Sequence, residues 1–221
     1  MPPHLLLLGH RGARRYAREN TIPAFDLALD HGADGFEFDV RCTRDRRTII
    51  VHDAKLNRLA LRRHSLEQLQ QSCGRLEETP PCLEDVLDRY RNRFLNIEVK
   101  VRGIEPIVVA AVRRARPKRY FISSFLPSVV RRLHELDGSL VLGALAQTRW
   151  QLRRWRILPV SYVVPQYRLL TRTLVDNLHA AEKKVVTWTV NDPRQMLRAA
   201  DLGVDAIISD DTKLLVETLR K

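Results

Sequence analysis

The amino-acid sequence predicts an α/β barrel, and two observations support this fold class. Short apolar segments with strand character recur along the 221 residues, most of them about 20–30 residues apart, which is the length of one strand-plus-helix unit. Each is followed by a segment whose apolar residues recur at helical spacing. The predicted strands are Leu5–Leu8, Phe36–Val40, Phe94–Val99, Tyr120–Ser123, Leu140–Leu145, Tyr162–Pro165, Val185–Val190 and Ala206–Ser209. Eight such units predict a (β/α)8 barrel of the TIM type, and an open doubly wound sheet is the alternative.

Local signals mark where the helices begin and end. Asn20 or Thr21 can cap the first helix, Pro23 suits its first turn, and Gly32 can end it. Apolar residues at helical spacing predict the remaining helices. These lie near Leu66–Leu69, Leu83–Leu87, Pro106–Val112, Pro127–Leu136, Arg172–Ala181, Pro193–Ala200 and Asp211–Leu219.

A ninth strand-like segment, Thr48–Val51, does not fit the alternation of strands and helices. A polar turn over Thr43–Arg47 joins it to Phe36–Val40. We therefore expect the return arm of a hairpin above the barrel rim, as a short insertion after the second strand. Because no linker or low-complexity segment divides the chain, we expect one domain over residues 1–221.

The chain is strongly basic. Its net charge of +12 favours anionic partners such as phosphates, acidic lipid surfaces or nucleic acid, although the codon bias of a GC-rich genome is an alternative explanation. Basic residues cluster over Arg113–Arg119 and again over Arg149–Arg156, where they are interleaved with Trp150 and Trp155. The second cluster is either an amphipathic helix on an anionic membrane or a solvated helix face on which arginine stems cover the tryptophans.

Apolar runs and cysteines bear on the cellular compartment. The run Leu5–Leu8 lacks a basic leader and is too short for a signal sequence, and no run reaches membrane-spanning length. The cysteines Cys42, Cys73 and Cys82 are odd in number and lack metal-site spacing, so reduced thiols are expected. We expect a cytoplasmic protein.

Carboxylates interrupt two neighbouring strands. Side chains alternate in direction along a strand, so Glu37 and Asp39 share one face of the second predicted strand, and Glu98 and Lys100 share one face of the third. Adjacent strands of a barrel bring these groups together near its carboxyl-terminal rim. Three carboxylates at close range repel one another unless protons or a hard divalent cation, Mg²⁺ or Ca²⁺, lie between them. Salt bridges with the many arginines are the alternative.

Two histidines stand at the ends of strand-like segments. His10 ends the first strand, and His52 follows the hairpin arm. Such a pair is suited to acid–base chemistry near neutral pH, and Arg11 and Lys100 can neutralise a phosphate beside the cation. The other histidines are expected to serve the surface or packing; they are His4, His31, His64, His134 and His179.

At these residues the chain closely resembles the glycerophosphodiester phosphodiesterase family. The order and spacing of the matching blocks, rather than any single block, carry the resemblance, which covers nearly the whole chain. The blocks are His10-Arg11-Gly12, Glu19-Asn20-Thr21, Glu37-Phe38-Asp39-Val40, His52-Asp53, Ile97-Glu98-Val99-Lys100, Ser123-Ser124-Phe125, Thr187-Trp188-Thr189-Val190-Asn191 and Gly203 to Asp210.

The resemblance implies a (β/α)8 barrel that hydrolyses glycerophosphodiesters to sn-glycerol 3-phosphate and an alcohol, assisted by a divalent metal ion (Mg²⁺ or Ca²⁺). It implies His10 and His52 as the general acid–base pair. The implied metal ligands are Glu37, Asp39 and Glu98. The implied substrate-binding residues are Arg11 and Lys100 for the phosphate, Glu19 at the metal or glycerol end, and Trp188 as an apolar wall. Packing in the barrel core is the alternative role of Trp188.

Several alternatives stay open at this point. Either histidine can be the acid, and either water or the substrate's glycerol hydroxyl can attack. The segment from His52 to the helix at Leu83 is shorter than in many relatives, which leaves a more open site. A lysophospholipid phosphodiesterase (lysophospholipase D-like) or a phosphotransferase is therefore a second hypothesis. A non-enzymatic basic module that binds membrane or nucleic acid is a third and less favoured one, because no nucleic-acid motif is present.

The expected partner is a small-molecule glycerophosphodiester or lysophospholipid. Peripheral contact with an anionic membrane is a further candidate, and no nucleic acid is expected. The sequence leaves the oligomeric state open.

Overall fold

A computed structural model describes residues 5–74 and 79–220, so the expectation for His4 lies outside the described residues. In chain order the strands are β1 (Leu6–His10), β2 (Gly35–Cys42), β3 (Thr48–Ile50), β4 (Lys55–Leu56), β5 (Leu59–Ala60), β6 (Phe94–Val99), β7 (Arg119–Ser124), β8 (Leu142–Ala146), β9 (Tyr162–Pro165), β10 (Lys184–Thr187) and β11 (Ala206–Ser209). The α-helices are α1 (Ile22–Asp30), α2 (Leu66–Gln71), α3 (Leu83–Arg89), α4 (Glu105–Ala115), α5 (Pro127–Leu136), α6 (Arg149–Leu152), α7 (Arg172–Ala180), α8 (Pro193–Asp201) and α9 (Thr212–Leu219).

Parallel strands form a closed barrel, as the sequence predicts. The order around the barrel is β1, β2, β6, β7, β8, β9, β10 and β11, and β11 pairs with β1 to close it. Each of the predicted barrel strands is present, with ends that differ by one or two residues in most cases and by three at the end of the seventh. The open-sheet alternative is wrong, because each of the eight parallel strands pairs with a parallel neighbour on both sides.

The expected hairpin lies above the rim. β3 runs antiparallel to β2, with Val40 opposite Ile50, and the turn between them covers residues 43–47. This arm carries the chain to His52 on the same side of the barrel as the carboxyl ends of the parallel strands. A small antiparallel hairpin, β4 with β5, and helix α2 follow before the chain returns to α3.

Alternation along β2 separates the helix-facing side chains from the site. Phe36, Phe38 and Val40 are fully buried beneath the helices, and Phe25 of α1 stacks on Phe36 with ring centroids 4.2 Å apart. A second apolar cluster, which includes Phe121 and Tyr162, fills the barrel interior. Polar side chains therefore have room only at the rim.

The turn after β1 is tightly packed against α1. Gly12 has a φ of +82°, and a Cβ atom at this position would lie 2.6 Å from the carbonyl oxygen of Ala24. Thr21, one of the two predicted caps, accepts from the backbone N–H of Ala24 at the start of α1. This packing fixes the loop that carries His10 and Arg11.

The basic segment after β8 does not form the long amphipathic helix of the first interpretation. The guanidinium groups of Arg154 and Arg156 lie over the Trp150 and Trp155 rings, as the second interpretation expects. Helix α6 has only four residues and runs into a 3₁₀ turn, Arg153–Ile157, so no amphipathic helix forms. Trp155 packs against two core clusters, and Leu158, three residues later, is buried in one of them. Trp150, by contrast, remains 67% exposed.

Two further expectations concern membrane spans and thiols. No helix within residues 5–74 and 79–220 combines the length and apolarity needed to cross a bilayer. Cys42, Cys73 and Cys82 are all free thiols.

Candidate active site

The predicted site residues converge at the carboxyl ends of adjacent strands. His10 ends β1, Glu37 lies on β2, Glu98 lies on β6, and Lys100 follows β6 directly. The strands pair so that Glu37 is opposite Asn96 and Asp39 is opposite Glu98. A cavity of about 200 Å³ opens here, and its lining includes both histidines and Trp188.

Three buried carboxylates form the floor of the site. Oxygen atoms of Glu37, Asp39 and Glu98 lie within 4.8 Å of one another. Asn20 donates from Nδ2 to Asp39 Oδ2 at 2.9 Å and fixes that carboxylate. Glu37 Oε1 and Asp39 Oδ1 accept no hydrogen bond from the described part of the chain. Buried oxygens of this kind are normally satisfied, so these two atoms are suited to accept a further ligand such as a cation.

Two cations compensate the carboxylates. Lys100 Nζ lies 2.8 Å from Glu98 Oε1 and 3.3 Å from Asp39 Oδ1. Arg11 Nε lies 3.0 Å from Asp39 Oδ2, and Arg11 Nη1 donates to Glu19 Oε1 at 2.8 Å. The backbone N–H of Arg11 donates to Glu37 Oε2 at 3.1 Å. Arg11 adopts a φ of +55°, a left-handed conformation uncommon for a residue with a side chain, and this conformation is consistent with a functional turn.

Burial and crowding divide the carboxylates electrostatically. Burial, together with the charge of Asp39, raises the pKa of Glu37 well above its ordinary value and that of Glu98 to about 7. Burial alone would raise the pKa of Asp39, but the charges of Lys100 and Arg11 have the larger effect and hold that pKa below its ordinary value. Without a bound cation, the cluster therefore keeps Asp39 ionised and favours protons on its two neighbours.

His10 is oriented by a carboxylate from the last strand. Its Nδ1 atom lies 2.6 Å from Asp210 Oδ1, and its Nε2 atom lies 3.9 Å from Glu37 Oε2. Asn191 Nδ2 donates to Asp210 Oδ2 at 2.6 Å, so Asp210 is itself held in place. Burial lowers the pKa of His10 despite this hydrogen bond, which favours the neutral ring. When Nδ1–H donates to Asp210, the lone pair of Nε2 faces the cavity.

His52 stands at the opposite, more exposed side of the cavity. Its Nδ1 atom lies 2.8 Å from Asp53 Oδ1, and its carbonyl oxygen accepts from Arg41 Nε at 2.6 Å. The His52 ring lines the main cavity and also an adjoining polar pocket that Glu19 lines. The two histidines therefore flank the carboxylate floor from different loops.

An apolar wall completes the cavity. Trp188 donates from Nε1 to the carbonyl oxygen of Val164 at 2.9 Å, and its ring contacts Phe125 edge-on with centroids 5.6 Å apart. Leu145 and Ile208 extend this surface. Trp188 is half-buried and faces the cavity, so it lines the site and also packs in the barrel.

Sequence reasoning gave no role to several residues of the site. Asp210 and Asn191 were named only as members of matching blocks, and Asn20 only as a block member and a candidate helix cap. In the structure Asp210 holds His10, Asn191 holds Asp210, and Asn20 holds Asp39. A signal was available for Asp210, because it directly follows the last strand, as His10 follows the first. Arg14, whose Nη2 atom lies 3.1 Å from Glu19 Oε2, carried no such signal.

The donor set at the floor suits a hard divalent cation. Three carboxylates have oxygens within 4.8 Å of one another, and two of these carboxylates keep a buried oxygen that accepts no hydrogen bond from the described residues. Such a set matches the oxygen ligands that Mg²⁺ and Ca²⁺ take in proteins. Glu19 is not part of this group; it pairs with Arg11 and Arg14 instead.

Comparison with known proteins gives a consistent result. The model of the glycerophosphoryl diester phosphodiesterase family matches residues 10–214. The glycerophosphodiester phosphodiesterase of Bacillus altitudinis is 32% identical, over 92% of this chain and 94% of the relative. That of Caldanaerobacter subterraneus subsp. tengcongensis is 28% identical, over 98% of both chains.

Solved structures show the same fold. The glycerophosphodiester phosphodiesterase of Thermotoga maritima aligns with a TM-score of 0.86 at 23% identity, covering 98% of this chain and 99% of that one. A phosphodiesterase of Oleispira antarctica, in complex with the product sn-glycerol-3-phosphate, aligns with a TM-score of 0.83 at 24% identity, covering 98% and 97%. On the family match and the 32% identical relative, this chain belongs to the glycerophosphoryl diester phosphodiesterase family.

Proposed function

We propose that this protein is a metal-dependent phosphodiesterase that hydrolyses glycerophosphodiesters to sn-glycerol 3-phosphate and an alcohol. The observation that carries the proposal is the meeting, in one cavity, of a buried carboxylate cluster, two cations and two histidines. Cleavage of a phosphodiester needs positive charge at the phosphate, a base for the attacking oxygen and an acid for the leaving one. Family membership supports the same substrate class.

The metal ligands of this proposal are Glu37, Asp39 and Glu98. Their close spacing supports that role, as do the buried oxygens Glu37 Oε1 and Asp39 Oδ1, which accept no hydrogen bond from the described residues. When bound, a divalent cation supplies positive charge beside a non-bridging phosphate oxygen. Lys100 and Arg11, which lie against the same carboxylates, are then freed to bind the remaining phosphate charge.

His10 is the proposed base and His52 the proposed acid. The neutral ring of His10, held by Asp210 through Nδ1, presents Nε2 to accept the proton of the attacking hydroxyl group. As the bond from phosphorus to the leaving oxygen breaks, His52 donates a proton to that oxygen, so an alcohol leaves rather than an alkoxide. The more exposed position of His52 supports this assignment, because the leaving group must pass to solvent.

The remaining candidates bind the substrate. Lys100 and Arg11 hold the phosphate, and Glu19 orients Arg11 through its 2.8 Å hydrogen bond. Trp188 and Phe125 form an apolar wall beside the phosphate, against which carbon atoms of the glycerol or the alcohol pack.

The test is hydrolysis of glycerophosphocholine by the full chain after chelation and after addition of Mg²⁺ or Ca²⁺. We expect phosphomonoester release that chelation abolishes and the cation restores. Turnover that persists in EDTA would exclude the metal, and undiminished turnover in both His10→Ala and His52→Ala would exclude the acid–base pair.

A lysophospholipid substrate is the second candidate, favoured by the apolar wall at the cavity mouth. The products released from lysophosphatidylcholine test this candidate. Release of free choline or of a cyclic phosphate would support it, and the absence of both products would argue against it. A cytoplasmic location and a single domain over residues 1–221 remain predictions.

A further inference from the structure

We infer that the segment after β8 is a docking surface that seats the mouth of the active site on an anionic lipid bilayer. This inference rests on the proposed function, because it identifies a lipid surface as the source of the substrate. The surface consists of Arg149, Trp150, Arg153 and Arg154, and is called the Trp150 surface below.

Trp150 is the apolar anchor of this surface. Its side chain is 67% exposed, whereas Trp155, five positions on, is partly buried and packs against two core clusters. Helix α6 is too short to hide the ring, but a capping box between Thr148 and Gln151 fixes the turn that presents it. A rigidly presented indole with its ring in water is suited to the interfacial region of a bilayer, where an amphipathic ring is stabilised.

The charge around Trp150 matches an anionic lipid surface. Residues 147–161 contain four arginines and no acidic residue. None of these arginines forms a salt bridge with a carboxylate in the described part of the chain. Arg154 lies over the Trp150 ring at 4.1 Å, which places a guanidinium beside the indole, as an interfacial contact requires.

The neighbouring loop repeats the pattern. β9 pairs with β8 in the barrel, and the loop after β9 carries Arg168 over the ring of Tyr167 at 5.6 Å. Two adjacent loops on the rim side of the barrel thus pair an aromatic ring with a guanidinium, although Tyr167 is partly buried against a core cluster and only Trp150 is fully presented.

The Trp150 surface is directly connected to the active site. Arg154 donates from Nη1 to the carbonyl oxygen of Phe125 at 3.3 Å, and the Phe125 ring lines the cavity against Trp188. Gln147, which begins the segment, lines the same cavity. A bilayer contacted by Trp150 therefore lies beside the apolar side of the cavity, where a lipid chain can enter without crossing water.

Vesicle binding by the full chain tests this inference without requiring turnover. The probes are phosphatidylcholine vesicles with and without phosphatidylglycerol. We expect binding only to the anionic vesicles, weakened by salt. Trp150→Ala is expected to weaken it roughly tenfold, and Arg149→Gln or Arg153→Gln about fivefold each. Leu197→Ala is the matched control, because Leu197 is a 49% exposed apolar residue on α8 outside the Trp150 surface. This variant should bind anionic vesicles as the wild type does.

Fluorescence and activity supply independent readouts. Brominated lipids should quench tryptophan emission of the wild type, and Trp150→Ala should lose that quenching although two tryptophans remain. Hydrolysis of soluble glycerophosphocholine should be the same in Trp150→Ala and wild type, while hydrolysis of lysophosphatidylcholine in anionic vesicles falls.

Three outcomes would overturn the inference. The first is that the wild type fails to bind anionic vesicles. The second is that Trp150→Ala and Leu197→Ala bind these vesicles equally well. The third is that the Trp150 surface binds an RNA oligonucleotide but no vesicles. An enzyme inactive on glycerophosphocholine that still binds vesicles through Trp150 would reject the proposed function and leave the docking surface standing.

Discussion

His10 Nδ1 lies 2.6 Å from Asp210 Oδ1, although 200 positions separate the two residues in the chain. Burial alone would raise the pKa of Asp210, but the hydrogen bonds from His10 and Asn191 and the nearby charge of Arg14 lower it, so the carboxylate stays ionised at neutral pH. Asn191 holds the other oxygen of Asp210. This geometry selects one tautomer of His10 and directs Nε2 at the cavity.

Asp210→Asn should therefore impair the chemical step more than substrate binding. The amide can donate to Nδ1 and stabilise the wrong tautomer, so we expect kcat to fall about 100-fold with little change in KM. Asp210→Glu should recover part of the loss. Steady-state kinetics on glycerophosphocholine measure both. The matched control is Asp205→Asn, which disrupts another His–Asp pair, His179 with Asp205 at 2.9 Å, outside the site. Equal losses in the two variants would contradict a positioning role.

The two histidines should respond differently to the leaving group. A nitrophenolate leaves without protonation, so His52→Ala should lose about 100-fold or more on glycerophosphocholine but far less on a nitrophenyl ester of glycerol phosphate. His10→Ala should be impaired on both substrates, because the attacking oxygen still needs a base. If His10→Ala instead lost activity only on glycerophosphocholine and His52→Ala on both substrates, His10 would be the acid and His52 the base.

Glu37→Gln should separate stability from metal binding. The pKa of Glu37 is raised by burial and by its neighbouring carboxylates, so folding of the metal-free protein at neutral pH requires this carboxyl group to take up a proton, a cost that a neutral amide does not carry. We expect a melting temperature higher by about 2–4 °C in EDTA, and a loss of the additional stabilisation that Mg²⁺ or Ca²⁺ gives the wild type. Differential scanning calorimetry with and without cation tests both effects. A variant that the cation still stabilises fully would remove Glu37 from the ligand set.

Glu98 should make the stability of the metal-free protein depend on pH. Its pKa is about 7 in the folded protein, above the ordinary value of 4.5. At a pH between these two values, the folded state therefore keeps a proton on Glu98 that the unfolded state has released. Stability attributable to Glu98 is therefore present below pH ~4.5 and is lost as the pH rises through ~7. The melting temperatures of the wild type and Glu98→Gln, measured in EDTA and plotted against pH, should diverge across this interval, with the variant more stable at its upper end. A constant difference between the two proteins at all pH values would contradict the raised pKa of Glu98.

Metal affinity should follow the same proton. A cation can displace the proton from Glu98 only at a cost that falls as the pH rises, so affinity measured by titration calorimetry should increase between pH ~5 and ~7, with proton release that depends on the buffer. Glu98→Gln should bind the cation more weakly and show a smaller pH dependence, because only the Glu98 contribution is removed. Affinity that is flat with pH in the wild type would argue that Glu98 is not a ligand.

Local sequence was sufficient to predict the strands and the inward face of two of them. The alternation in Phe36-Glu37-Phe38-Asp39-Val40 and in Asn96-Ile97-Glu98-Val99-Lys100 assigns each side chain to a face, because side-chain direction has a period of two along any strand. Pairing of β2 with β6 then brings Asp39 opposite Glu98, as expected. The hairpin to His52 was predictable in the same way, from a polar turn between two apolar runs.

The partners of these residues depend on contacts that local patterns do not specify. Asp210 reaches His10 only because β11 pairs with β1 and closes the barrel. The different environments of Trp150 and Trp155 were equally hidden, since both stand among arginines in the sequence. Core packing makes Trp155 the less exposed of the two rings. The sequence by itself therefore determined the elements and the side-chain faces, whereas barrel closure and core packing decided which groups act together, because those contacts join residues far apart in the chain.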